Sequence, residues 1–249
     1  MRKFSSYGPV DTDLHYYAPR EALIEQALAD LVGEDPTKGG HYITVWAPRQ
    51  RGKTWIIQQA LRRLRSEPQY RDAFDVLYAP LEYLKLAKDV EKIAQALAQE
   101  VIQALDLPPI AIHEMREIEQ IFSRELLRKP LILLLDEFDA LTEEAIAGLA
   151  GVFRNIYIRR QTEGDRPTGE KSYLLHGVAL IGVRSVLGVE NPRGSPFNVQ
   201  RSLHVPNLTS DEVQGLFDWY TRESGQAVEP AVVERLFDET RGQDRKSVV

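Results

Sequence analysis

Two hydrophobic periods alternate along the chain. Short β-rich runs are followed by stretches whose apolar residues recur every three or four positions. That alternation predicts a parallel sheet covered by helices. The first helix is expected over Glu21 to Leu31, where Leu23, Ile24, Ala27, Leu28 and Leu31 form a stripe after Pro19-Arg20. Gly33 to Gly40 is polar, contains Gly and Pro, and reads as a loop. Tyr42 to Trp46 then reads as a strand, Lys53 to Leu64 as a helix, and Phe74 to Ala79 as a second strand. Asp89 can cap the helix that follows, with Val90, Ile93, Ala94, Leu97, Val101 and Leu105 on one face and Pro108-Pro109 closing it. Another helix is expected from His113 to Leu127.

The second half continues the pattern. Leu131 to Leu135 is an unbroken aliphatic run, the signature of a strand buried on both faces. A helix is expected from Glu143 to Arg160, then the polar stretch Gln161 to Lys171, then a strand over Leu174 to Gly182. Ser202 to Val205 adds a short strand, and Asp211 to Thr221 and Pro230 to Thr240 read as two closing helices. The sequence carries no internal repeat and no low-complexity segment.

Composition narrows the setting. The chain has 249 residues, 43% of them hydrophobic, enough for one large α/β domain and the beginning of a smaller unit. A formal net charge of -6 supplies no global basic field, so nucleic acid is an unexpected partner. The basic clusters Arg62-Arg63-Leu64-Arg65 and Arg159-Arg160 fall in expected helices and read as solvated faces. There is no cysteine, hence no disulfide framework and no thiolate metal site. Met1 to Val10 has no apolar core of a signal peptide, and the longest apolar runs are too short to span a bilayer. The expectation is a cytoplasmic protein with no membrane partner.

Candidate chemistry begins at Ala47-Pro48-Arg49-Gln50-Arg51-Gly52-Lys53-Thr54. The phosphate-binding P-loop is Gly, four residues, Gly-Lys, then Ser or Thr. Here Ala47 replaces the first glycine. Gly-Lys-Ser/Thr alone should occur by chance in on the order of one chain in ten at this length. Placement raises its weight, because it follows a strand and opens a helix, where backbone N–H groups and the helix dipole face an anion. Lys53 would neutralise the β- and γ-phosphates, Thr54 would give its hydroxyl to Mg²⁺, and Gly52 would let the backbone approach. The competing reading is a plain strand–turn–helix. Ala47 precedes Pro48, which pushes it into extended backbone that needs no glycine.

A partner motif follows at the end of the aliphatic strand, Asp136-Glu137. The carboxyl edge of a parallel sheet is where α/β proteins bind ligands. Asp136 would hold Mg²⁺ through water, and Glu137 would polarise the attacking water. Alternatively the acidic residues belong to the next helix start, which Asp139 or Thr142 could cap. The two motifs together are far harder to obtain by accident than either alone. A third strand, Val178 to Val183, ends in Arg184, which could sense the γ-phosphate or simply close a strand at the surface.

These residues resemble AAA-like ATPase domains common in cyanobacterial multidomain proteins, related to the signal-transducing STAND ATPases and the AAA+ group. The resemblance rests on Tyr7-Gly8-Pro9-Val10, Tyr16-Tyr17-Ala18-Pro19-Arg20-Glu21, Ala47-Pro48-Arg49-Gln50, Gly52-Lys53-Thr54, Asp136-Glu137-Phe138-Asp139 and Ser195-Pro196-Phe197-Asn198, and it reaches to about Gln243. It implies an α/β P-loop NTPase three-layer sandwich of five parallel strands, with the strand ending at Arg184 between the P-loop and Asp-Glu strands. It also implies a base site near Tyr17, Pro19 and Arg20, phosphate contacts from Pro48, Arg49, Gln50, Arg51, Gly52, Lys53, Thr54 and Trp55, and Arg184 as nucleotide sensor. A helical lid would begin after Leu208. Thr240 with Gly242-Gln243 resembles the start of the lid motif, but Asp244 stands where proline is usual.

The expected organisation is a base-contacting segment over residues 1–40, a nucleotide core over 41–207, and an incomplete lid over 208–243. Residues 244–249 read as an artefactual tail, since Asp244 to Val249 breaks the helical pattern abruptly. The implied ligands are ATP and Mg²⁺, with self-association or an effector module as possible partners of a longer protein. The expected activity is that of an ATP-hydrolysing switch. A nucleotide-gated scaffold without turnover and a DNA-associated ATPase are the alternatives. GTP is disfavoured because no Asn-Lys-x-Asp motif occurs, and no Gly-x-Ser-x-Gly or clustered histidine set supports other hydrolase chemistry. Arg154, Arg159 and Arg160 are candidates by position for an arginine finger in trans.

Overall fold

The computed structural model describes residues 2–4, 10–182 and 201–243. Helix α1 (Glu21–Val32) leads into β1 (Tyr42–Trp46), then α2 (Lys53–Ser66), a single turn α3 (Pro68–Arg71), β2 (Asp75–Pro80) and α4 (Val90–Ala104). Strand β3 (Leu131–Asp136), α5 (Glu143–Thr162), β4 (Leu175–Gly182), β5 (Arg201–His204), α6 (Ser210–Ser224) and α7 (Pro230–Thr240) complete it. The five strands form one sheet in the order β2-β3-β4-β1-β5, and every pair is parallel. As expected, β4 lies between the P-loop strand and the strand ending in Asp-Glu.

Strand parity explains how two helical layers cover this sheet. On β3, Ile132 and Leu134 pack with Ile43, Val45, Ala179 and Ile181 against Ile56, Ile57 and Ala60 of α2 and Leu28 and Leu31 of α1. Leu131, Leu133 and Leu135 face the other way, against Ile93 and Leu97 of α4 and Leu149, Phe153 and Ile156 of α5. All six residues of β3 are buried, as an aliphatic run between two layers requires. Each fully buried Leu or Ile contributes about 1.5–3 kcal/mol, so these two faces dominate stability.

Helix ends follow their local chemistry. Asp89 accepts hydrogen bonds from the Glu91 and Lys92 amides at 3.0 and 3.2 Å, capping α4. Thr142 caps α5 by accepting from the Ala145 amide. Thr209 and Glu212 form a reciprocal capping box at the start of α6. Helices α6 and α7 share a small core of Leu208, Val213 and Val233. Their two ends are stitched together: the Leu208 amide donates to Gly242 O at 2.9 Å, and Asn207 Nδ2 donates to Arg241 O at 2.7 Å.

Two sequence expectations need correction. The segment His113 to Leu127 contains a 3₁₀ helix, Met115–Phe122, and then leaves the helix. Buried Met115, Ile118 and Ile121 recur every three residues, the period of a 3₁₀ turn. Beyond it, Ser123 bridges to Tyr173, and the Arg124 amide donates to Ser172 O. The chain exchanges intrahelical bonds for this pairing.

The second correction concerns Arg160, which is 3% exposed and lies on no solvated face. Its guanidinium donates to Tyr173 O and to Thr168 Oγ1, and Lys171 Nζ donates to Arg160 O. Thr168 Oγ1 lies 2.8 Å from His176 Nδ1, and His176 Nε2 lies 2.9 Å from Val32 O. A carbonyl can only accept, so Nε2 carries the imidazole proton and Nδ1 accepts from the Thr168 hydroxyl. Burial lowers the His176 pKa to about 3, and the nearby Arg160 and Lys171 charges add to the effect.

Candidate functional site

The site is built where β1 and β3 end on either side of β4. Ala47 is fully buried and its amide donates to Gly182 O at 3.4 Å, so strand pairing continues one residue past β1. That matches the extended backbone expected before Pro48. The chain then turns through Gln50 at φ 63° and Gly52 at φ 80°, and Gly52 is the N-cap residue of α2. A left-handed φ suits glycine, and no atom lies within 4 Å of where a Cβ on Gly52 would sit. The space over the helix start is therefore open to a ligand.

Lys53 is half-buried, and its ammonium donates to Ala47 O at 2.9 Å and Pro48 O at 3.1 Å. Burial lowers its pKa, while Glu137, Asp139 and Asp136 pull the other way. Thr54 Oγ1 donates to Asp136 Oδ2 at 3.3 Å, joining two motifs 82 positions apart. The same oxygen accepts from Tyr78 Oη at 2.7 Å, and Asp136 Oδ1 accepts the Glu137 amide at 2.9 Å. Glu137 sits at φ 54°, a left-handed turn that swings its side chain off the strand. Partial desolvation raises its pKa, and the charges of Asp136 and Asp139 raise it further. A carboxylate made more basic in this way is suited to accept a proton.

Beside the helix start lies a cleft partly open to solvent. Tyr17, Arg20, Arg51, Gly52 and Trp55 line it, together with Leu208, Leu216 and Gly242 of the segment that carries α6 and α7. Tyr17 packs between Trp55 and Trp219, with ring centroids 5.1 and 5.4 Å away. Arg51 Nε, Trp55 Nε1 and Asn207 Oδ1 are buried without a hydrogen-bond partner, and all three residues line this cleft. Buried polar atoms normally find partners, so unpaired donors and an acceptor here fit a polar heterocycle beside the aromatics. Thr54 and Asp136 offer hard oxygens in contact, which fits Mg²⁺ held with the help of phosphates and water. Among the described residues no cluster of three or more His, Cys, Asp or Glu could hold a metal by itself.

Pro48, Arg49 and Gln50 are exposed on the loop, and Pro19 is exposed away from the cleft lining. Arg20 lines the cleft, yet its guanidinium is spent on Pro206 O, Asn207 O and Glu212, tying the start of α1 to the segment that leads into α6. Arg184 and Ser195 to Asn198 lie outside the described residues. Arg160 is buried at the opposite edge of the sheet, and Arg159 stacks on Tyr173 there. Tyr78, Asp139 and Asn207 were missed as site residues. Only parity along β2 could have signalled Tyr78, which shares a sheet face with Pro80, the residue paired with Asp136.

A parallel sheet in this order, with Gly-Lys-Thr opening a helix after β1 and Asp-Glu closing β3, defines an α/β fold of the P-loop AAA+ type. The chain belongs to the AAA-like domain family, whose profile matches residues 5–243. No curated protein sequence matches it. Among solved structures it is similar to the DNA-complexed Orc1 protein of Aeropyrum pernix, with TM-score 0.57, 17% identity, and coverage of 93% of this chain and 58% of that one. Cdc6p of Pyrobaculum aerophilum gives TM-score 0.55 and 16% identity over 93% of this chain and 60% of that one. A Walker-type ATPase of Pyrococcus abyssi gives 0.57 and 12% over 96% and 67%. The chain thus spans about three fifths of the first two relatives, and the likeness concerns the fold. Among the described residues no helix is long and apolar enough to cross a membrane.

Proposed function

We propose that this chain is the nucleotide-binding core of an ATP-driven switch of the STAND type, working as part of a larger signalling protein. The observation that carries the nucleotide-binding part of this reading is the contact between Thr54 Oγ1 and Asp136 Oδ2 at 3.3 Å, beside Lys53 at the start of α2. In this reading the amides of Gly52 and the first turn of α2 bind the phosphates. Lys53 gives its ammonium to the β- and γ-phosphates. Tyr17 and Trp55 pack against the adenine, and Arg51 and Asn207 offer the polar contacts. Thr54 and Asp136 would hold Mg²⁺, which supplies charge neutralisation for the phosphoryl group. Glu137 orients the attacking water and accepts its proton, and Arg184 senses the γ-phosphate. Closure of α6 and α7 over the cleft is the signal, and hydrolysis reopens them. The domain limits follow: residues 1–40 contact the base, 41–207 form the core and 208–243 the lid.

A DNA-associated role gains no support from the arginine clusters. Arg63 is paired with Glu25 and Glu67, Arg65 donates to Val76 O, and Arg160 is buried. Calorimetric titration with Mg-ATP and Mg-GTP tests the main reading. Removing the Lys53 ammonium deletes charge-assisted bonds worth about 1.5–3 kcal/mol, so Lys53→Ala should weaken Mg-ATP binding roughly ten- to a hundredfold. Glu137→Gln should retain binding and lose turnover. Equal Mg-ATP affinity in the wild type and Lys53→Ala overturns the phosphate-site assignment.

A further inference from the structure

The carboxylate of Asp136 has a partner that the nucleotide motifs do not include. Tyr78 stands on β2, one strand outside β3, opposite Leu134 in the register. Leu134 and Asp136 point to the same face, the one covered by α2, and Tyr78 packs against that same apolar layer. Its hydroxyl donates to Asp136 Oδ2 at 2.7 Å, a shorter bond than the 3.3 Å one from Thr54 to the same oxygen. Asp136 is 5% exposed, so water competes little for these bonds.

The consequence is geometric. Oδ2 takes hydrogens from Tyr78 on β2 and Thr54 on α2, and Oδ1 takes the amide of Glu137 in the turn after β3, so three donors fix the plane of one carboxylate. With its hydrogen directed at Asp136, the Thr54 hydroxyl keeps its lone pairs for a cation. Hydrogen-bond partners behind a metal-binding carboxylate commonly matter ten- to a hundredfold in metal affinity. We propose that Tyr78 is a positioning residue for Mg²⁺, holding Asp136 so that Asp136 and Thr54 present their oxygens together. This rests on the nucleotide-site reading above.

The test is binding of a non-hydrolysable fluorescent ATP analogue to the full chain, titrated with Mg²⁺ and repeated in EDTA. Tyr78→Phe keeps the ring and removes one hydroxyl, and Thr54→Ala serves as the reference. The expected result is a roughly tenfold rise in the Mg²⁺ midpoint for Tyr78→Phe, with affinity in EDTA unchanged. A midpoint equal to the wild type, while Thr54→Ala shifts it, overturns the role of Tyr78 and leaves the site reading intact. An equal loss with and without Mg²⁺ assigns Tyr78 to packing alone and also overturns it. No effect of Thr54→Ala either overturns both. Should Tyr78→Phe fold poorly, 3-fluorotyrosine at position 78 gives the answer by ¹⁹F resonance. A shift on adding Mg²⁺ to the nucleotide complex supports the proposal, and a resonance blind to Mg²⁺ overturns it.

Discussion

Acid should unfasten this domain at His176, and the size of the effect follows from its burial. The imidazole is fully buried between Thr168 and Val32 O, with Arg160, Lys171 and His41 as the charged or titratable groups that oppose its protonation. Its folded pKa is about 3, against about 6.5 for an unperturbed histidine. A depressed histidine is neutral in the fold, so the unfolded chain binds the extra proton as pH falls below 6.5. Stability from this group is full above that value and is lost on the way down toward pH 3. At pH 5 the unfolded imidazole is almost wholly protonated and the folded one almost wholly neutral. The differential is RT ln 10 multiplied by about 1.5 pH units, or about 2 kcal/mol.

That is a sizeable share of a typical stability of about 5–15 kcal/mol. Urea unfolding at pH 8 and pH 5 measures it, with His176→Gln as comparison, because glutamine can still donate to Val32 O but does not titrate. The wild type should lose about 2 kcal/mol more than the variant between the two pH values. Parallel losses in the two proteins would refute the reasoning.

Two further perturbations probe the sheet frame and the segment that leads into α6. A Cβ on Gly177 would lie 2.4 Å from the backbone oxygen of Leu31, so Gly177→Ala should cost about 1–3 kcal/mol in thermal or urea unfolding; an unchanged midpoint would show that α1 can shift freely from the sheet. Arg20→Ala removes the bonds to Pro206 O, Asn207 O and Glu212, and limited proteolysis near residues 206–208 should accelerate while the sheet stays resistant; cleavage at the wild-type rate would deny Arg20 its anchoring role.

How far the sequence could be read depended on whether the determining partner was local. Tyr42–Trp46 and the aliphatic run of β3 were legible because burial on both faces writes itself into composition. Asp89 and Thr142 were legible as caps for the same reason, since their partners lie within three residues. Thr54 and Asp136 could be joined across 82 positions because each sits at the end of a readable strand or the start of a readable helix. The illegible parts have distant partners. Residues 122–124 leave the helix for 172–174, Arg160 is covered by a loop that reads as merely polar, and Tyr78 finds Asp136 across strands. The family resemblance puts Arg20 near the base, and its guanidinium answers to carbonyls more than 180 positions away.

The stitches from Leu208 and Asn207 to Gly242 and Arg241 make the α6–α7 segment a closed ring of chain, joined at its base by two adjacent hydrogen bonds. Among the described residues its interior holds just Leu208, Val213 and Val233 as buried apolar residues, against the two broad layers flanking the sheet. Such a ring opens as a cooperative unit and at low cost. Amide hydrogens of α6 and α7 should therefore exchange together, ahead of those in β1, β3 and β4. A ligand that touches both rims of the cleft would slow that exchange by the free energy it spends holding the ring shut, so the protection factor of two helices becomes a gauge of what the cleft contains.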